Sequence, residues 1–236
     1  MKAEDIVMAV HSGTHMDAPL HFLRDKWSVD EIPITHFMNR PLVVVDVSNK
    51  VSKNRDYEVT EEDLLGWETE NGEIPEGAVI LIRTGYSKHY KNRIKYMGTA
   101  TNLIQNLHYP GVGPEAALWI VKNRLVVGVG IDTLSIDPGA GLGFLAHRTL
   151  LERNLFLLEN INSNIEKLPA TGAFISVFPL PLQGASGSPC RVIVDLNASH
   201  LIQPFGFLSI VAFFVFTQVF TSSFFASRFQ IINTIN

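Results

Sequence analysis

The chain has 236 residues, 46% of them hydrophobic and 18% charged, with a formal net charge of −4. That length suits one domain, or one domain with an appendage. The acidic balance and the lack of a basic block leave no electrostatic footprint for nucleic acid, and a single cysteine, Cys190, excludes an intrachain disulfide.

Residues 1–12 read as a strand around the apolar run 6–10, and no basic region followed by a long apolar stretch marks a signal peptide there. A Gly-Thr-His-Met-Asp-Ala-Pro loop follows. The β-branched run 41–47 is of buried-strand type. Thr60, ahead of Glu61, Glu62 and Asp63, offers the N-cap and early acids of a helix start. Residues 78–83 form another strand, ended by Thr84 and Gly85. Pro114 takes a first-turn position in a helix that runs to Val121. Residues 125–131 predict a buried strand ending at Asp132, 147–152 a helix, and 155–159 the strand after it. Residues 173–178 and 191–195 give two further strands. Cys190 lies in a turn entering the last of these, which assigns it to structure rather than to catalysis. Strands alternate with helices, so the fold class is α/β.

The tail differs in character. From Leu196 to Ser227 there is no Asp, Glu, Lys or Arg, and residues 205–225 are apolar apart from Ser, Thr, Gly and Gln218. A bilayer span needs about 20 largely apolar residues, and this segment has no polar face when drawn as a helix. The expected division is therefore a domain over 1–195 and a hydrophobic tail over 196–236, with a membrane segment at 205–225. Asn197-Ala198-Ser199 has the form of a glycosylation sequon. The polar end, 228–236, fits a lipid-anchor signal poorly. The chain is membrane-attached if the tail inserts, and cytoplasmic or secreted otherwise.

The chemistry concentrates near the start. His11, His15 and His21 fall within eleven residues, with Asp17 among them. Imidazole and carboxylate together suit zinc, manganese or iron. The spacing works on a turn rather than a regular strand, and Gly13 and Pro19 mark such a bend. A bent backbone can aim several side chains at one point, and the two oxygens of Asp17 could bridge two metals. A loop of solvated histidines is the competing account; the order of histidines, aspartate, glycine and proline argues against it.

The string His11-Ser-Gly-Thr-His15-Met-Asp17-Ala-Pro-Leu-His21 resembles the signature of the cyclase-type metal hydrolases, the family holding bacterial kynurenine formamidases and isatin hydrolases. It matches every fixed position of that signature. The resemblance extends to Gly130-Ile-Asp132-Thr-Leu-Ser135-Ile-Asp137, to His147 with Leu150-Leu151, to Glu159-Asn160, and to the late Gly-x-x-Gly-Ser-Pro-Cys-Arg turn. It covers about residues 10–195.

The resemblance implies a swivelling β/β/α-type domain with mixed sheets and peripheral helices, a homo-oligomer, and a small-molecule amide substrate. It implies that His11, His15 and Asp17 hold one divalent metal, with Asp17 bridging to a second held by His147 and Glu159. Two zinc ions are expected, with manganese as the alternative. His21 is the implied proton shuttle. Isatin hydrolases resemble a single-metal version without that glutamate, so Glu159 favours the formamidase branch. His36, His89, His108 and His200 match no motif and read as structural, and Asp132 and Asp137 as strand-end residues that shape the site. Family members carry a further stretch before the signature, so a chain whose signature starts at His11 reads as amino-terminally shortened, with an opened pocket.

The expected reaction is attack of metal-activated water on an amide carbonyl, with His21 carrying the proton to the leaving nitrogen. An aniline leaves more easily than an alkylamine, which suits N-formylkynurenine. An isatin-type cyclic amide hydrolase and a catalytically inactive metal-binding relative are the competing readings.

Overall fold

The computed structural model describes residues 2–101, 103–139, 141–196 and 229–231. Its frame is a sheet in which seven strands close on themselves. In chain order these are β1 (His15–Asp17), β2 (Arg40–Asp46), β4 (Val79–Arg83), β6 (Gly128–Ile131), β7 (Phe156–Glu159), β8 (Ala173–Pro179) and β9 (Gly187–Asp195). Around the ring the order is β1-β7-β6-β4-β2-β8-β9, and β1 pairs with β9 to complete it. A short pair lies outside the ring, β3 (Glu58–Val59) parallel to β5 (Gly111–Val112). The strand β10 (Phe229–Ile231) adds to β9 opposite residues 193–195.

β2, β4, β6 and β7 run parallel, as expected where helical crossovers join successive strands. Their side chains alternate between two cores with the period of a strand. Val43, Val45, Ile80, Ile82, Val129, Ile131 and Leu157 face one core. Leu42, Val44, Val79, Leu81, Phe156 and Leu158 face the other. Helices α3 (Glu61–Asn71), α5 (Pro114–Asn123) and α6 (Leu145–Leu151) cover the first core with Leu64, Trp67, Ala116, Ile120, Ala146 and Leu150. The start of α3 carries a reciprocal capping box between Thr60 and Asp63. Pro114 opens α5 at a first-turn position. Three shorter helices, α1 (Ile34–Phe37), α2 (Ser48–Val51) and α4 (Arg93–Met97), lie in the connections.

Four expectations change. Residues 2–10 form no strand and 2–9 are exposed, with Val7 at 99%: no neighbouring strand among the described residues offers backbone groups for the apolar run to pair with. The loop expected after it contains β1, because His15–Asp17 finds strands on both sides, β7 and β9. The strand expected over 125–131 begins only at Gly128, with Leu125 72% exposed before it. The turn expected before Arg191 is instead the first part of β9, whose Gly187–Pro189 is occupied by pairing to β1. Cys190 is buried in the second core, in keeping with a structural role. The segment 205–225 lies outside the described residues; among the described residues no helix is long and apolar enough to cross a membrane.

Candidate metal centre

Five side chains named from the sequence meet where β1, β7 and α6 converge. β1 supplies two of them. Residues two apart on a strand share a face, so His15 and Asp17 point together while Met16 enters the core behind. β7 supplies Glu159, directly opposite His15 in the antiparallel pairing. Glu159 is the last residue of a parallel strand, the end where open α/β sheets place their ligands. α6 supplies His147. His11 comes from the turn before β1, which Gly13 makes possible with φ +62, a conformation open to glycine and costly for other residues.

The donor atoms lie close. His11 Nδ1 is 2.6 Å from Asp17 Oδ1, and His15 Nε2 is 3.2 Å from the same oxygen. His147 Nε2 stands 3.2 Å from Asp17 Oδ2 and 3.2 Å from Glu159 Oε1. His15 Nε2 is 3.4 Å from Glu159 Oε2. Asp17 thus faces all three imidazoles, and Glu159 faces two. Except for His11, these groups are almost fully withdrawn from water. His21, at the end of the turn Pro19–His21, stacks on the His11 ring at 4.0 Å and remains exposed.

Two hydrogen bonds fix the faces that the buried imidazoles present. His147 Nδ1 donates to Asp137 Oδ2 at 2.5 Å, and His15 Nδ1 donates to the Gly13 carbonyl at 2.9 Å. Both rings therefore turn Nε2 toward the carboxylates, the orientation in which a histidine ligates a metal. Asp137 also accepts from the backbone N–H groups of Ala146 and His147, at the start of α6. Asn160, in the left-handed region at φ +53, locks the exit of β7: its carbonyl accepts from Thr14 Oγ1 and its Oδ1 from the Tyr96 hydroxyl.

The electrostatics show what the cluster wants. Burial alone would lower the His15 pKa, but the hydrogen bond and charge of Asp17, with the charge of Glu159, raise it to about 9. His147 is likewise raised, against burial, by Asp137, Asp17 and Glu159. Asp17 is held far below the usual carboxylate range, against burial, by bonds from His11, His147 and His15. Buried carboxylates that pull protons onto neighbouring imidazoles are a site for positive charge. A divalent cation fits that donor set, since it can replace protons on oxygen and nitrogen ligands. His21 goes the other way. Partial desolvation of its ring, opposed by the charge of Asp17 and helped by those of His11, His147 and His15, lowers its pKa to about 4, so it is neutral near pH 7.

Other sequence assignments separate from this centre. His108 pairs with Asp56 at 2.9 Å, while His36 and His89 lie on other elements. His200 is outside the described residues. Asp132 is fully buried and accepts from the backbone of Thr84, Tyr86 and Ser87 and from the Thr84 hydroxyl, so it ties down the exit of β4. Sequence reasoning missed Ser186, whose hydroxyl lies 3.0 Å from His11 Nε2. It also missed Gly187, where a Cβ would stand 2.5 Å from the His11 ring. Only the late Gly-Ser-Pro-Cys turn pointed that way, and nothing in it named His11 as the neighbour.

Known proteins resemble this chain in sequence and fold. Residues 2–138 match the Cyclase family model, described as "Putative cyclase". An isatin hydrolase from Roseibium aggregatum is 31% identical over 195 residues, which is 80% of this chain and 72% of that one. A kynurenine formamidase from Bacillus cereus is 27% identical over 190 residues, 80% of this chain and 78% of its own. Among solved structures, isatin hydrolase A from Labrenzia aggregata bound to benzyl benzoate superposes with a TM-score of 0.74 at 37% identity, covering 80% of this chain and 75% of that one. A potential metal-dependent hydrolase with cyclase activity gives 0.62 at 26% identity, covering 80% of each chain. With its closed mixed sheet, peripheral helices and buried cluster of imidazoles and carboxylates, the chain belongs to the cyclase family of metal-dependent hydrolases.

Proposed function

We propose that the chain hydrolyses N-aryl amides, with an open-chain arylformamide such as N-formylkynurenine as substrate and an arylamine and formate as products. The observation that carries this reading is Glu159, buried and within 3.4 Å of both His15 Nε2 and His147 Nε2. With it, the donors divide into two sets that share Asp17: His11, His15 and Asp17 for one divalent metal, and Asp17, His147 and Glu159 for a second. Zinc is the metal proposed, with manganese as the alternative. Bound metal supplies Lewis acidity, activating water and polarising the amide carbonyl.

The remaining work falls to the chain. His21 is neutral near pH 7, its pKa lowered to about 4 mainly by partial desolvation of the ring, and its free ring nitrogen can take a proton. Its ring lies against His11 at the exposed side of the cluster, where a substrate would enter. It accepts the proton of the attacking water and returns it to the nitrogen, so that an arylamine leaves rather than its anion. Asp137 and the Gly13 carbonyl keep His147 and His15 in one tautomer while this happens.

An isatin-like cyclic amide is the second reading, favoured by the higher identity to isatin hydrolases. A side-by-side assay of N-formylkynurenine and isatin, with zinc or manganese and with bound metal counted, separates the two. Preference for the formamide with two metals per chain supports the proposal. Preference for isatin with one metal replaces it. Metal without turnover of either would make the chain an inactive relative.

A further inference from the structure

Beside the metal centre lies a set of rings that the chemistry above does not use. Phe22 follows His21 directly. Its ring centroid is 4.7 Å from that of His147, inclined at 33°, and 4.8 Å from that of His21, edge-on at 86°. Phe144, just before α6, has its centroid 5.4 Å from Phe22 and 6.1 Å from His147. Both phenylalanines are only partly buried, and His21 beside them is exposed. Leu145, next to Phe144, is 51% exposed and extends the apolar rim. A partly open aromatic surface therefore touches both the expected proton carrier and one expected metal ligand.

Phe144 is also held in an uncommon conformation. Its φ is +52 and its ψ +50, the left-handed region that residues with a Cβ seldom enter. A glycine precedes it, and glycine at 144 would remove the strain. Strained positions of this kind cluster where a side chain must be aimed, and here the strain aims a phenyl ring at Phe22.

We infer that Phe22 and Phe144 form the wall that receives the aryl group on the substrate nitrogen, making them the residues that set preference for aromatic over alkyl amides. The inference rests on the amide-hydrolase reading and says which part of the substrate the mouth of the site recognises. A planar ring stacked offset or edge-on against these two rings would bring its attached nitrogen beside His21, the group proposed to protonate it. A saturated ring of the same size offers no such π contact.

The test uses the full chain loaded with zinc and two size-matched probes, formanilide and N-cyclohexylformamide. Turnover is measured for the parent, Phe22→Leu and Phe144→Leu. Leucine keeps apolar volume and removes the ring, and Phe144→Tyr serves as the conservative variant. Binding of both probes is read separately by saturation-transfer NMR, which needs no turnover. The aryl-to-cyclohexyl ratio of kcat/KM should fall about tenfold in each leucine variant, mainly through KM, and return in Phe144→Tyr. A ring with only a packing role would lower both substrates together and leave the ratio unchanged, which overturns the inference. Aryl-selective binding that the leucine variants lose, without turnover of either probe, supports the wall and refutes the arylformamidase reading. Absence of aryl-selective binding in the parent overturns the wall whatever the turnover.

Discussion

Asp137 is the most informative residue to change, because it touches both the fold and the proposed chemistry. Its Oδ2 accepts from His147 Nδ1 at 2.5 Å and from the His147 N–H at 3.1 Å, and its Oδ1 accepts from the Ala146 N–H at 2.8 Å. Asp137→Asn keeps the shape and one oxygen. If that oxygen stays with His147, the new amide group faces the Ala146 N–H, donor against donor; reversed, two donors lose their acceptor. A buried donor left unsatisfied costs about 1–3 kcal/mol. For a domain of this size each kcal/mol lowers the melting temperature by about 2–4 °C, so the metal-free protein should melt about 2–12 °C lower. Loss of the carboxylate partner should also weaken metal binding about 10–100-fold through His147. Zinc competition against a chromophoric chelator and melts of the metal-stripped protein read the two effects separately. A lower melting temperature with unchanged zinc affinity would remove His147 from the ligand set and leave Asp137 as a support for α6 alone.

Three further outcomes are expected. His21→Ala should keep its metal, read by elemental analysis, while turnover falls about 10²–10⁴-fold; loss of metal would make His21 a ligand, a role its closeness to His11 and Asp17 permits. In the metal-free chain the His15 pKa is raised from 6.5 to about 9, so the fold holds a proton that the unfolded chain releases. That stabilisation is fully present below pH 6.5 and lost as pH rises through about 9, so urea midpoints should decline across this window, and less steeply in His15→Gln, where only the raised His147 remains. Gly187→Ala would press a methyl group to within 2.5 Å of His11 Cε1 and 2.8 Å of the Met16 carbonyl. Overpacking of this kind costs about 1–3 kcal/mol, and zinc content should drop along with the melting temperature; wild-type values for both would mean that the site gives way freely.

Much of the frame could be read in advance, and the reasons differ by element. β2 and β4 carry short unbroken runs of Val, Ile and Leu, the mark of strands buried on both faces. α3 and α5 announced themselves through Thr60 with Asp63 and through Pro114. All six residues singled out for chemistry lie together, because the spacing of His11, His15, Asp17 and His21 is itself a fold constraint. What stayed hidden was long-range. Nothing local distinguishes the exposed run 6–10 from a strand, since only a partner makes a strand. The same holds in reverse for His15–Asp17, a strand because β7 and β9 flank it. Ser186 and Gly187 are remote in sequence from His11, and the role of Phe144 depends on a backbone angle that residue type disfavours.

β1 is three residues long, yet it closes the ring of strands, and two of the three are proposed ligands. A seam so short has few backbone bonds of its own. Metal that ties His15 and Asp17 to Glu159 would act as a rivet through it, joining the strand to its neighbour by side chains as well as backbone. Catalysis and closure of the barrel would then depend on one fastening. A descendant of this chain that gave up the metal would lose more than activity: it would need some other clasp at β1 to keep the wall of strands shut.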